Sequence, residues 1–139
     1  MQSSKPILLV EDDNLDAMTV ERALKDVGVT EKLVRTANGE EALQYLKSES
    51  GKKPYVILLD LNMPRMDGIE FLKIAKKNED LKTIPVVVLT TSKDKQDIAE
   101  SFRQNAAGYM VKPADYKQFV EAIRTINRYW TLSELPNGG

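Results

Sequence analysis

Four short runs constrain this chain more than any other feature: "ILLV" (7–10), "YVILLDL" (55–61), "PVVVLTT" (85–91) and "GYMVK" (108–112). They are apolar without alternation. A strand with one wet face alternates, whereas a strand covered on both faces reads as a continuous apolar run, as in a parallel sheet flanked by helices. A fainter run, "KLVRTA" (32–37), does alternate and is expected at an edge. Pro85 opens its run, where its missing N–H costs the ladder little.

Between the runs lie helix-period segments. Ala17, Val20, Leu24 and Val27 are spaced 3, 4 and 3 apart and stop at Gly28. Ala42, Leu43 and Leu46 follow Gly39; Phe71, Leu72 and Ala75 follow Gly68; Ile98, Ala99 and Phe102 precede Gly108. Phe119, Ala122, Ile123 and Ile126 form the last stripe. Strand then helix, five times over, implies right-handed crossovers and an α/β, flavodoxin-like doubly wound (βα)5 fold around a five-stranded parallel sheet. The 139 residues suit one domain with a real core.

Composition removes several kinds of chemistry. The chain has no cysteine and no histidine, so thiol nucleophiles, Cys- or His-based zinc sites and Ser-His pairs are excluded. A formal net charge of −1 gives no general attraction to nucleic acid or an acidic membrane, and neither is expected as a partner. "MQSSKPILLVEDD" is not a signal peptide, and no apolar segment approaches membrane-spanning length. A cytoplasmic protein is the expectation.

Functional groups of open α/β sheets gather beyond the carboxyl ends of the strands. Those ends offer Glu11, Asp12 and Asp13 after the first run, Asp60 and Asn62 after the third, Thr90, Thr91 and Ser92 after the fourth, and Lys112-Pro113 after the fifth. Two carboxylates about 4 Å apart repel by roughly 4 kcal/mol at an effective dielectric near 20. A cluster of three calls for a cation, or for one member to be protonated. Oxygen-only donors suit Mg²⁺ better than zinc. Asp60 then reads as a nucleophile toward phosphorus, with Lys112 and Thr90 holding the transferred group's other oxygens.

The segments "ILLVEDD", "LLDLNMPRMDG", "VVVLTT" and "GYMVKP" together resemble the response-regulator receiver domain of two-component signalling. Thr90 stands 30 residues after Asp60, Lys112 stands 22 after Thr90, and Tyr109 three before Lys112. The resemblance runs from about Lys5 to Arg128. It implies that Asp60 is the phosphoacceptor for a histidine kinase or phosphotransfer protein, and that the protein is not otherwise an enzyme. It also implies that Asp12, assisted by Glu11, holds Mg²⁺ with Asp60 and the Asn62 backbone carbonyl. Thr90 and Tyr109 become the switch pair. Lys112 becomes the phosphate-facing lysine, followed by a cis peptide to Pro113, and Asn62 and Ser92 tune the lifetime of the acyl phosphate.

Simpler roles are expected for some neighbours. Asp13 or Asn14 caps the first helix, Asp67 caps or turns before Gly68, and Thr91 is an ordinary strand residue. Residues 129–139 read as a C-terminal tail with no output domain. In it, Trp130, Leu132 and Leu135 extend an apolar stripe that either folds back or forms a dimer or kinase contact. A homodimer through this tail, or through the fourth helix, fifth strand and fifth helix, is a further expectation. The ending "YWTLSELP" is similar to single-domain regulators paired with bacterial phytochrome-type kinases.

Other classes fit less well. A haloacid dehalogenase-type phosphatase expects D-x-D on the first strand, where this chain has Asp60-Leu61-Asn62 on the third. A flavodoxin needs a phosphate-cradling loop where "EDDNLD" stands. A receiver fold acting as a phosphorylation-independent adaptor is the remaining alternative.

Overall fold

The continuous apolar runs become neighbouring strands of one sheet in a computed structural model that describes residues 5–48, 52–63 and 66–132, of 129–132 the backbone alone. Strands β1 (Ile7–Val10), β2 (Leu33–Thr36), β3 (Val56–Leu59), β4 (Val86–Thr90) and β5 (Gly108–Val111) alternate with helices α1 (Asn14–Asp26), α2 (Gly39–Lys47), α3 (Gly68–Lys77), α4 (Lys95–Arg103) and α5 (Tyr116–Leu132). All strand pairs are parallel, in the order β2-β1-β3-β4-β5. This is the flavodoxin-like (βα)5 architecture expected from the pattern.

Strand side chains alternate between two cores, so a run buried on both sides must be apolar throughout. Leu8, Val10, Ile57, Leu59, Val86 and Val88 face α2 and α3, which supply Ala42, Leu43, Leu46, Phe71, Leu72 and Ala75. Ile7, Leu9, Val56, Leu58, Val87 and Leu89 face α1 and α5, which supply Ala17, Val20, Ala23, Leu24, Phe119 and Ile123. Each fully buried Leu or Phe contributes about 1.5–3 kcal/mol. Phe71→Ala would cost about 3–5 kcal/mol, because a close-packed interior does not close the hole. Across the second core, Tyr116 stitches α5 to α1: its hydroxyl donates to Asp26 at 2.7 Å and its ring lies under Arg22.

Caps fix where the helices begin. Asp13, Asn38, Asp67 and Asp94 each accept a backbone N–H from the first turn that follows. Gly28 ends α1 with φ +88°, a left-handed conformation that glycine adopts without strain.

Two expectations need correction. β5 is the second edge strand and all four of its residues are only half-buried, although its sequence does not alternate. An edge strand has a neighbour on one side only, so its faces are less completely covered. On α4, the stripe Ile98, Ala99 and Phe102 is not a buried face: Ser101 is the buried residue, and Phe102 is 47% exposed. α4 packs over this same edge, where little sheet remains to bury a helix face.

Candidate functional site

Register sets the geometry of the site. Val10 pairs with Leu59, so Glu11 and Asp60 leave the sheet side by side, and the Asp60 N–H donates to the Val10 carbonyl at 3.1 Å. Thr90 pairs with Val111, and the Lys112 N–H donates to the Thr90 carbonyl at 2.7 Å. Four strand ends therefore deliver two buried carboxylates, a buried hydroxyl and a lysine to one edge of the sheet.

Carboxylate oxygens of Glu11, Asp12 and Asp60 all lie within 4.8 Å of one another. Glu11 is 1% exposed and Asp60 7%, whereas Asp12 reaches solvent. Burial, reinforced by the charge of Asp60, pushes the Glu11 carboxyl up to about 7. The hard, oxygen-only donor set, the spacing and one solvent-facing member fit Mg²⁺ or a similar divalent ion that keeps several waters. Asp13 is not part of this set; its side chain caps α1 by accepting the Asp16 N–H at 2.9 Å.

Lys112 is nearly buried and donates to Glu11 Oε1 at 2.8 Å and Asp16 Oδ2 at 3.2 Å. Burial alone would lower the pKa of this ammonium, but the carboxylates of Glu11, Asp60 and Asp16 outweigh it and raise it. The lysine is thus a fixed charge in the ordinary pH range. Asp16 carries no signal of this in the sequence, where it reads as an ordinary acid in the first turn of α1. The peptide between Lys112 and Pro113 is trans, as no cis bond occurs among the described residues. This corrects the expected cis bond; for a peptide preceding proline the two forms differ by only about 0.5–1 kcal/mol.

Thr90 is wholly buried at the end of β4. Its Oγ1 is 3.4 Å from the Ser92 N–H, a long contact. Tyr109 is half-buried and donates its hydroxyl to the Ser92 carbonyl at 3.0 Å. Ser92 Oγ in turn donates to Asp97 Oδ2 at 2.6 Å, tying this loop to α4. Asp97 is another residue without a sequence signal, since its role depends on a loop fold. Thr91 is exposed.

The first residue of α3 packs against the backbone of the nucleophile candidate. Gly68 N–H donates to the Leu61 carbonyl at 3.0 Å, and a Cβ on Gly68 would stand 2.7 Å from the Asp60 carbonyl oxygen and from Leu61 Cα. Only glycine permits this approach. Asn62 is exposed beside the cluster, with its N–H 3.4 Å from Asp60 Oδ1. Asp67 caps α3 through the Glu70 N–H. Trp130 and Leu132 belong to the last turns of α5, but their side chains, and Leu135 altogether, lie outside the described residues.

Residues 7–124 match the family described as the response regulator receiver domain. The chain is 38% identical over 127 residues to the probable methanogenesis regulatory protein FilR2 of Methanothrix harundinacea, covering 89% of this chain and 82% of that protein. It is also 38% identical over 130 residues to the response regulator Rcp1 of Synechocystis, covering 91% and 88%. The crystal structure of the phosphorylated cyanobacterial phytochrome response regulator RcpA superposes with a TM-score of 0.89 at 36% identity, covering 96% and 99%. The Mn²⁺-bound form of Rcp1 does so with a TM-score of 0.86 at 37% identity, covering 95% and 99%. No helix among the described residues is long and apolar enough to cross a membrane.

Proposed function

The chain belongs to the response regulator receiver domain family, and from that premise we propose that it accepts a phosphoryl group on Asp60 from a histidine kinase or phosphotransfer protein. In this reading residues 5–128 are the receiver unit. A carboxylate oxygen of Asp60 attacks phosphorus, the P–N bond to the donor imidazole breaks, and the ring leaves with the bonding pair and takes up a proton. The product is an acyl phosphate on Asp60. The observation that carries the reading is the convergence of the Glu11, Asp12 and Asp60 carboxylates beside Lys112, with Thr90 buried at the end of the strand next to that of Asp60.

Glu11, Asp12, Asp60 and the Asn62 carbonyl would hold Mg²⁺, whose charge offsets that on the transferred oxygens. Lys112, which already donates to Glu11 and Asp16, exchanges them for a phosphoryl oxygen. Thr90 donates to another oxygen and releases the Ser92 N–H. Tyr109, which meets the same residue through the Ser92 carbonyl, then carries the change to α4, β5 and α5. Asn62 and Ser92 add no charged base, which favours moderate to slow hydrolysis of the acyl phosphate. Phosphorylation works here by stabilising one of two existing arrangements over the other.

A partner has a ready approach. α1 leaves Leu15 74% and Met18 62% exposed, and a groove of about 560 Å³ beside them is lined by Asp16, Thr19, Arg22, Lys112, Pro113 and Tyr116. The likeness to Rcp1 and RcpA favours a phytochrome-type kinase as donor and a cytoplasmic setting. The exposed Phe102 and half-buried β5 favour a self-association face that responds to phosphorylation.

Intact mass after incubation with acetyl phosphate and Mg²⁺ tests the central step. Wild type should gain one phosphate; Asp60→Asn, and wild type stripped of metal, should gain none. A folded wild type that gains none, and that beryllofluoride also leaves unchanged in its amide NMR spectrum, would favour a phosphorylation-independent adaptor.

A further inference from the structure

The loop that carries Glu11 and Asp12 lies between the end of a strand ladder and the first turn of a helix. Backbone carbonyls in such a place have no regular partner. Those of Glu11 and Asp12 are met by one side chain from the neighbouring strand. Arg35 Nε donates to the Glu11 carbonyl at 3.0 Å and Nη2 to the Asp12 carbonyl at 3.1 Å, while Nη1 donates to Asn14 Oδ1 at 2.7 Å. On the other side, the Glu11 N–H is held by the Thr36 carbonyl at 3.0 Å.

We propose that Arg35 is a positioning residue for the divalent-cation site, its guanidinium fork fixing the backbone from which the Glu11 and Asp12 carboxylates project. The inference rests on the metal reading of Glu11, Asp12 and Asp60. Three features point to it. Each of the three contacts goes to a neutral oxygen, so the fork takes no carboxylate oxygen away from a cation. Asp12 is exposed, so packing does not fix its direction and its backbone must. The guanidinium is planar and rigid, so three bonds from one group lock three points of the loop relative to one another, which a flexible ammonium cannot do.

Geometry and charge make opposite predictions. A positive group beside acids opposes a second cation, so a purely electrostatic Arg35 would bind against Mg²⁺ and its removal would tighten binding. A positioning Arg35 does the reverse. Outer partners that orient metal ligands are commonly worth 10- to 100-fold in affinity. Arg35→Gln, which loses charge and fork, and Arg35→Lys, which loses the fork alone, should therefore both weaken Mg²⁺ binding about tenfold.

Calorimetric titration of Mg²⁺ into the unphosphorylated proteins at pH 8, with the Mn²⁺ paramagnetic resonance spectrum as a second readout, decides the matter. Weakening in both variants, with circular dichroism unchanged, is the expected result. Tighter binding by Arg35→Gln with unchanged binding by Arg35→Lys would overturn the proposal in favour of simple charge. Lower melting temperatures with unchanged affinity would overturn it in favour of a fold-stabilising role. If wild type binds no Mg²⁺ while folded, the metal reading fails and takes this inference with it; if wild type binds and the variants bind equally, the inference alone fails.

Discussion

Lys112 Nζ lies 2.8 Å from Glu11 Oε1, with the two side chains 10% and 1% exposed. A pair this dry is weak evidence for stability, since desolvation offsets much of the attraction. Removing one member is another matter. In Lys112→Met the Glu11 carboxylate is left buried beside Asp60, which should cost about 3 kcal/mol at pH 8. At pH 6 Glu11 can take up a proton instead, and the cost should shrink to about 1 kcal/mol. Urea unfolding of both proteins at the two pH values checks this; an equal loss at both would mean that Glu11 does not respond to its partner.

The same carboxyl makes metal-free stability depend on pH in an unusual direction. Its folded pKa, about 7, stands above the ordinary 4.5, so the folded protein binds the proton more tightly. That contribution is fully present below about 4.5 and is lost as pH rises through about 7. Measured against Glu11→Gln, metal-free wild type should lose on the order of 2 kcal/mol between pH 5 and pH 8. Saturating Mg²⁺ should flatten the slope, because the ion holds the ionised form. Thermal melts in chelator and in Mg²⁺ give the comparison.

Three glycines should behave differently on substitution by alanine. Gly68→Ala forces a Cβ to 2.7 Å from backbone atoms of Asp60 and Leu61, which cannot swing aside. It should destabilise by about 2–3 kcal/mol and shift Asp60, slowing phosphorylation from acetyl phosphate at least tenfold. Gly28→Ala meets open space but a φ of +88°, and should cost about 1 kcal/mol with no effect on phosphorylation. Gly108→Ala meets only Val87 methyls at 3.8 and 3.9 Å and should be neutral in both assays. Chemical denaturation and phosphorylation rates separate the three.

The pattern that made the fold legible was two-sided burial. Ile7–Val10, Val56–Leu59 and Val86–Thr90 each read as covered strands and each is buried throughout. Glu11, Asp12, Asp60, Thr90 and Lys112 are legible as neighbours because each ends a strand or lies within two residues of its end, and parallel strands share one carboxyl edge. What periodicity does not carry is how much of the sheet a strand finds beside it. β5 therefore read as interior, and the stripe on α4 read as buried. Asp16, Arg35 and Asp97 were illegible for a different reason. Their partners lie across a loop or a strand pair, at Lys112, at the Glu11 and Asp12 carbonyls and at Ser92, and no local spacing encodes those contacts.

Thr90 and Tyr109 meet at Ser92 from opposite sides, one through the Ser92 N–H and the other through its carbonyl. The contact at Thr90 is long, at 3.4 Å, and is easily given up when the hydroxyl turns to a better acceptor. A phosphoryl oxygen on Asp60 is such an acceptor. Tyr109→Phe removes one neutral hydrogen bond and should cost about 1 kcal/mol of stability while leaving phosphorylation of Asp60 intact. Thr90→Ala should also still take up phosphate or beryllofluoride. In neither variant should that uptake change amide exchange in α4 and β5, whereas in wild type it should. Hydrogen exchange read by mass spectrometry, with and without beryllofluoride, measures the difference. Wild-type-like changes in α4 and β5 of beryllofluoride-bound Thr90→Ala would remove Thr90 from the route between Asp60 and the surface, whatever Tyr109→Phe does.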